Sequence, residues 1–312
     1  MNILIASRPL KKFFTCRMFS SLNSVQPSEK MNDWMGQEAA NIYTSNLKYP
    51  QHIAEFVMDR LRKIKGNEDS KRFDLVLDAG CGNGKSLLDF LSFFRRAIGF
   101  DANEHQIIKA KERRIKSDTA TFLVGRENAM PVEDNSVDLL LNVGAWHYME
   151  LNEFLNECNR VLKNTGLCAV YDSSFSKLQV HYPGKNVIQR TVDGSNLIET
   201  YRTTLHKHFS KVEHPAAEWF NRYHNIYDQV TGFNKERIDD LTVHFDMTLA
   251  ELKNYFLSFP TFRNHHNLFE KEFAPLNVMG SDSKKLVDAE GIDDEKLQLR
   301  FTLSMFLIFL YK

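Results

Sequence analysis

The sequence predicts an α/β fold built on a doubly wound, mostly parallel sheet. Two observations carry that prediction. From residue 75 to residue 174, short aliphatic runs alternate with charged amphipathic stretches, the sequence form of successive strand–helix–strand units. The first of those runs also passes directly into Asp78-Ala79-Gly80-Cys81-Gly82-Asn83-Gly84. Glycine at that density costs backbone entropy and serves no purpose in a packed core.

The elements follow in order. Residues 37–64 have a helical pattern broken at Pro50, with Ile53, Phe56, Val57 and Leu61 on one face. A polar turn at 66–72 leads to a strand at 75–77, and after the glycines "SLLDFLSFF" opens an apolar helix. "RRAIGFDAN" is a second strand ending in Asp101, "EHQIIKAKERRIK" a charged helix, and "ATFLVG" a third strand. "SVDLLLNVGAW" gives the fourth strand, "LNEFLNECNRVLK" an amphipathic helix stopped by "NTG", and "LCAVYDS" the fifth. Beyond Ser174 the alternation fades, and residues 175–245, rich in His and Tyr, receive no assignment. Residues 247–259 read as a helix, because Thr248 and Glu251 have the spacing of a capping box. The aromatic tail 297–312 reads as a closing strand.

Composition excludes several classes. The 312 residues carry 40 Lys+Arg and 40 Asp+Glu, so no global positive field exists to hold nucleic acid or an anionic membrane. Cys16, Cys81, Cys158 and Cys168 lack the spacing of a zinc site, and no metal is expected. No stretch reaches the roughly 18 uninterrupted apolar residues of a membrane span. Residues 1–30 contain Arg8, Lys11, Lys12, Arg17 and several serines, with no acid before Glu29. That is the composition of a mitochondrial transit peptide, the alternative being a disordered tail on a cytoplasmic protein. The remaining domain is then 31–312, with a core at 73–172, a substrate-side insertion at about 175–245 and a closing helix and strand at 246–312.

The glycines suit a ligand. Between a strand and a helix they let the main chain pass close beneath it, and the helix start offers free N–H groups. Asp101 ends the next strand, 101 − 80 = 21 residues on, where nucleotide-binding units place an acid on the ribose hydroxyls. The spacing is G-x-G-x-G rather than the G-x-G-x-x-G of dinucleotide sites, and Asp78 precedes it. An acid there repels a phosphate and suits a cationic amine. A ligand with ribose at one end and ammonium at the other is S-adenosylmethionine, which the charge logic favours over NAD.

On these residues the chain resembles the class I S-adenosylmethionine-dependent methyltransferases. The run "GRENAMPVEDNSVDLLLNVGAWHYMELNEFLNECNRVLKNTGLCAVYDSS" is similar to the family's passage from adenine loop to fifth strand, with "VLKNTG" where "VLKPGG" is usual. "NVGAWHY", with His147 kept and Tyr148 replacing a tryptophan, most resembles the trans-aconitate methyltransferase branch, as do "NIYTSNLKYP" and the C-terminal part. The resemblance implies a Rossmann-like seven-stranded sheet with the last strand antiparallel, helices on both faces, and a cap after strand five. It implies cofactor contacts at Asp78, Ala79, Gly80, Gly82, Asp101, Ala102 and Asn142, with Glu127 and Asn128 as candidates at the adenine. Tyr43, Trp146 and Tyr148 are the expected pocket residues.

Departures from the family are informative. Arg126 and Glu127 stand where relatives often have an acid and an alanine, and the lid segment lacks its arginine near Asn46 and Leu47. No N-P-P-Y element closes the fourth strand, which argues against base or glutamine methylation. His147 is the candidate base, being the side chain type that titrates nearest neutrality, with a packed histidine as the other reading. Arg190, Arg202 and Arg222 are candidates for gripping a substrate carboxylate. His206, His208, His214 and His224 lack metal-ligand spacing. The expected function is methyl transfer to a small molecule, at the oxygen of a carboxylic acid or hydroxyl. The alternative is a silent accessory protein that binds the cofactor; the composition leaves the oligomeric state open.

Overall fold

A computed structural model of the chain describes residues 33–42, 51–66, 72–113, 119–181, 191–269 and 275–312. Its frame is one sheet in the order β3-β2-β1-β4-β5-β8-β7. The strands are β1 (Phe73–Ala79), β2 (Phe94–Asp101), β3 (Ala120–Val124), β4 (Val137–Val143), β5 (Leu162–His181), β7 (Asn234–Thr248) and β8 (Gln298–Tyr311). A short β6 (Thr191–Asp193) pairs with the far end of β5. Strands β1 to β5 pair in parallel, whereas β8 runs antiparallel between β5 and β7. The expected seven-stranded, doubly wound frame is therefore present, with β6 as an added eighth strand.

Alternation decides what each face meets. Val76, Leu139, Leu141, Leu307 and Phe309 point to one side, where α2 (Gln51–Lys65) contributes Ile53, Val57 and Leu61. Leu75, Leu77, Leu140, Ile308 and Leu310 point to the other, against Phe154, Leu155 and Cys158 of α4 (Leu151–Val161). With both faces covered, the central strands read as unbroken aliphatic runs rather than alternating ones. No helix among the described residues is long and apolar enough to cross a membrane.

Two elements differ from the expectation. The segment after the glycines is a 3₁₀ helix over Ser86–Phe93 that runs straight into β2. At about 2.0 Å of rise per residue it spans more length than an α-helix of the same residue count, and no loop remains to return the chain. Residues 234–245, unassigned from sequence, form with the three that follow the edge strand β7 (Asn234–Thr248), whose many charged residues mask it. The predicted helix near 247–259 is α8 (Leu249–Leu257). Thr248 Oγ1 accepts from Glu251 N at 3.1 Å and the Glu251 carboxylate accepts from Thr248 N at 2.7 Å.

Strand length builds the cap. The last β4–β5 pair is Val143 with Tyr171, yet β5 continues ten residues to His181, about 33 Å of further strand. β8 and β7 follow it, and a third apolar cluster grows on the surplus. Phe175, Phe301 and Leu303 from the strands pack there with Tyr201 and Leu205 of α5 (Ser195–Lys211), Phe220 of α6 (Ala216–Phe220) and Phe256 of α8. Beside these lie α7 (His224–Gln229), α9 (Pro260–Phe269) and α10 (Pro275–Lys285). Two further helices are α1 (Gly36–Ile42) and α3 (Glu104–Glu112).

Because β8 is flanked on both edges and buried on both faces, truncation there leaves a void that nothing can fill. Leu307→Ala is expected to cost about 2–5 kcal/mol, read as a lower urea midpoint at unchanged slope.

Candidate active site

The strand tips carry the site. Gly80 N and Cys81 N donate to Phe100 O at 2.9 and 3.0 Å, folding the loop after β1 onto the tip of β2. Gly80 has φ +74°, and a Cβ there would lie 2.7 Å from Ala145 Cβ, so only glycine lets the loop pass. Gly82 has φ +52° and nothing within 4 Å of where its Cβ would be: bare backbone facing open space. Its N–H donates to Asp101 Oδ2 at 2.9 Å, and Asn103 N donates to Oδ1 at 2.8 Å. The Asp101 carboxylate is thereby fixed in place while retaining further lone pairs for a ligand's hydroxyls.

A second acid lies behind the first. Asp78 has no exposed surface; Oδ2 accepts from Ser86 Oγ at 2.6 Å, and Oδ1 is buried without a hydrogen-bond partner. Burial pushes its pKa up to about 7, against the Ser86 hydrogen bond and with a smaller upward push from Asp101. Burial also raises Asp101, opposed by the N–H groups of Asn103 and Gly82. An unpaired carboxylate oxygen inside a site with two acids and bare backbone is what a cationic, hydroxyl-bearing ligand would complete. The residues present thus fit an adenosyl sulfonium carrying an ammonium group.

A cavity of about 270 Å³ opens above these tips. Gly80, Gly82, Asp101, Ala102 and Glu127 all line it, and so do His147 and Tyr148. The Glu127 carboxylate accepts from Glu150 N at 3.2 Å, holding the loops after β3 and β4 together. Five expected site residues do not line it, and Asp78 is the first, fully buried behind the glycine loop. Asn128 is exposed and outside the cavity, because the turn after β3 points Glu127 inward and its neighbour out. Ala79 and Asn142 are fully buried beneath the floor, where Asn142 Nδ2 donates to Ala79 O at 3.0 Å and braces β4 against β1. Trp146 packs behind the wall on Phe154 and Tyr223 rather than facing the cavity. Tyr43 and Arg190 lie outside the described residues.

The other arginines are committed away from the cavity. Arg202 pairs with Glu199 along α5, and Arg222 pairs with Asp239 at 2.8 Å over the Phe306 ring. Among the described residues no group of His, Cys, Asp and Glu has an arrangement that could hold a metal.

His147 is where the structure adds most. Its Nδ1 lies 2.7 Å from Tyr223 Oη, and Tyr223 donates to Asp172 Oδ2 at 2.8 Å. With the tyrosine proton given to the carboxylate, Nδ1 carries the imidazole hydrogen and Nε2 the lone pair. Burial, helped by His214, depresses the His147 pKa to about 3, so the ring is neutral. Sequence reasoning missed Tyr223 and Asp172, 51 residues apart, because nothing local signals their meeting. Tyr223 and Arg222 adopt φ +59° and +56°, a left-handed pair that turns the ring inward. Trp34 was also missed: Nε1 donates to Tyr148 Oη at 2.8 Å and Thr261 Oγ1 at 3.0 Å, strapping the N-terminal segment across the opening.

Comparison with known proteins agrees with this geometry. Residues 77–170 match the family described as methyltransferase domain. Residues 77–170 are a class I, S-adenosylmethionine-dependent methyltransferase domain. The chain is 36% identical over 107 residues to sterol 24-C-methyltransferase of Saccharomyces cerevisiae, covering 33% of this chain and 28% of that protein. It is 30% identical over 130 residues to malonyl-[acyl-carrier protein] O-methyltransferase 1 of Coxiella burnetii, covering 41% and 42%. The chain thus spans less than half the length of either relative. A solved candidate type II methyltransferase from Anaeromyxobacter dehalogenans superposes with a TM-score of 0.57 at 16% identity, covering 83% of this chain and 96% of that one, a likeness of fold. S-Adenosylmethionine is the cofactor of the methyltransferase domain, and the trans-aconitate branch receives no support from these matches.

Two outcomes follow for the cradle. Asp101→Ala is expected to weaken S-adenosylhomocysteine binding by about 1.5–3 kcal/mol in calorimetric titration. Burial pushes the Asp78 pKa up to about 7, so its carboxylate is ionised only above neutrality, and affinity for a cationic ligand is expected to fall as pH drops through that value. It should be roughly tenfold weaker at pH 6 than at pH 8, and Asp78→Asn should flatten that dependence.

Proposed function

We propose that this chain methylates an oxygen atom of a small molecule, with His147 receiving the acceptor's proton. The observation that carries the reading is the chain His147–Tyr223–Asp172, whose two ends line the cavity while the buried Tyr223 joins them from behind its wall. S-Adenosylmethionine supplies a methyl group already activated on a sulfonium sulfur, so the protein has mainly to align and to manage one proton. An anionic carboxylate needs no base, whereas a hydroxyl does; the hydrogen-bonded chain therefore favours a hydroxyl acceptor over a carboxylic acid.

The depressed His147 pKa fits a relay. A buried ring that resists becoming imidazolium is a poor final holder of a proton. In the relay, Nε2 takes the hydroxyl proton while Nδ1 passes its own to Tyr223 Oη, whose proton moves to Asp172. The ring ends neutral in its other tautomer, and the charge lost is that of the carboxylate. The accessory-protein alternative has no use for such a chain, and no observation favours it. The composition of residues 1–30 supports mitochondrial import as part of the same proposal.

Screening metabolite extracts with methyl-labelled cofactor tests the reading; label in no acceptor oxygen would overturn it. Tyr223→Phe keeps the ring packed on Trp146 and Phe306 and removes only the hydroxyl. It is expected to lower kcat by about 10²-fold or more and to alter the pH–rate profile, with S-adenosylhomocysteine affinity within twofold of wild type.

A further inference from the structure

The cavity has two unlike halves, and the strand order separates them. The cofactor cradle sits over β2, β1 and β4, whereas Val243 and Phe245 lie on β7, five strand steps from β2. At about 4.8 Å per step that is roughly 24 Å of sheet, with His147 and Asp172 at the β4 and β5 tips between the halves.

The charges divide in the same way. Lys85, Asp89, Asp101, Arg126 and Glu127 line the cavity from the end of β2 and the segments that follow β1 and β3. Beyond His147, the only Asp, Glu, Lys or Arg among the described lining residues is Asp172. The rest of that wall is apolar: Met305 and Leu303 from β8, Trp219 from α6, Tyr255 from α8, Phe262 from α9, and Phe259 between those last two helices. Its polar atoms are largely occupied with one another, Tyr148 Oη lying 3.0 Å from Thr261 Oγ1 and both accepting from Trp34 Nε1. Of the arginines that sequence suggested for a carboxylate grip, Arg202 and Arg222 are ion-paired elsewhere, and Arg190 lies outside the described residues.

We infer that the methyl acceptor is a largely hydrophobic alcohol or phenol rather than a small polycarboxylate. This rests on the methyl-transfer reading above and deepens it. A polycarboxylate entering this half would give up its hydration to face aromatic rings and an acid, with no Lys or Arg among the described residues that line it to compensate. An apolar body buries favourably against the same rings, and a single hydroxyl at its near end meets His147 Nε2. In the transfer the O–H proton goes to Nε2, the oxygen lone pair forms the O–CH₃ bond, and the C–S bond's electron pair remains on sulfur. The products are a methyl ether and S-adenosylhomocysteine.

Calorimetry with two probes tests this. Protein saturated with S-adenosylhomocysteine is expected to bind 2-naphthol at least tenfold more tightly than citrate. Phe259→Asp should weaken 2-naphthol at least tenfold while leaving S-adenosylhomocysteine affinity within twofold, and Phe259→Leu should restore it. Citrate binding as tightly as 2-naphthol, neither probe binding, or 2-naphthol binding indifferent to both Phe259→Asp and Val243→Asp would overturn the inference. Should Phe259→Asp lose S-adenosylhomocysteine as well, Val243→Asp and the wild-type ratio of the two probes decide. Failure of S-adenosylhomocysteine to bind wild-type protein would instead sink the methyl-transfer reading, and the two probes titrated into the unliganded chain would still report on the apolar half.

Discussion

The site depends on one carboxylate held by two backbone N–H groups. Asp101 accepts from Gly82 on the loop after β1 and from Asn103 at the start of α3. Asn103 in turn caps α3 by accepting from His105 N at 2.9 Å, and its side-chain nitrogen donates to the backbone oxygens of Trp34 and Gly36. The glycine loop, the second strand, a helix and the N-terminal strap therefore meet at one acid. Charge-assisted hydrogen bonds of this kind are stronger than neutral ones, and here they offset part of what burying the acid costs. The remainder is an acid held above its ordinary pKa beside another in the same condition, an arrangement that a cation relieves.

This explains why so much of the cofactor half was legible in the sequence. Asp78, Gly80, Gly82 and Asp101 lie within 24 consecutive positions, on two adjacent strands and the loop between them. Local geometry fixes their relation: parallel strands in register bring Asp78 level with Gly99, and the positive φ angles at Gly80 and Gly82 are ones that side chains avoid. Where the reading went astray, it did so over which way a side chain points. Asn142 belongs to a central strand and is fully buried, so its amide braces β1 instead of reaching a ligand. Asn128 is turned outward by the bend that buries Glu127.

The apolar half of the cavity was not legible, for a different physical reason. Its parts come from β5, β8 and β7 beyond the point where the inner strands stop, and from helices packed on that surplus. β7 carries Lys235, Glu236 and Arg237 in succession and alternates apolar with polar residues only from Leu241 to Thr248, where Asp246 pairs with Arg300 across on β8. Such a segment has the composition of a polar loop until its partner strand is known. Tyr223 is harder still. Its place between His147 and Asp172 requires two successive residues in a left-handed conformation that propensity disfavours and that tertiary packing must enforce.

That enforcement is visible, and it bears on function. Arg222, the first of the two left-handed residues, is clamped by Asp239 through both its carboxylate and its backbone oxygen, while Arg237 donates to the Arg222 carbonyl at 2.8 Å. Both guanidinium groups lie over the Phe306 ring, which meets Tyr223 edge-on at 5.2 Å. An arginine that sequence suggests as a substrate grip thus serves to hold a strained turn. Backbone strain of about 1–3 kcal/mol per residue persists only where the surroundings over-determine it. Here those surroundings fix one tyrosine hydroxyl within hydrogen-bond reach of a buried neutral imidazole on one side and a buried carboxylate on the other. The left-handed turn sets the Tyr223 ring, and with it the hydroxyl, between the two, so the hydrogen-bonded chain through Tyr223 follows from the fold.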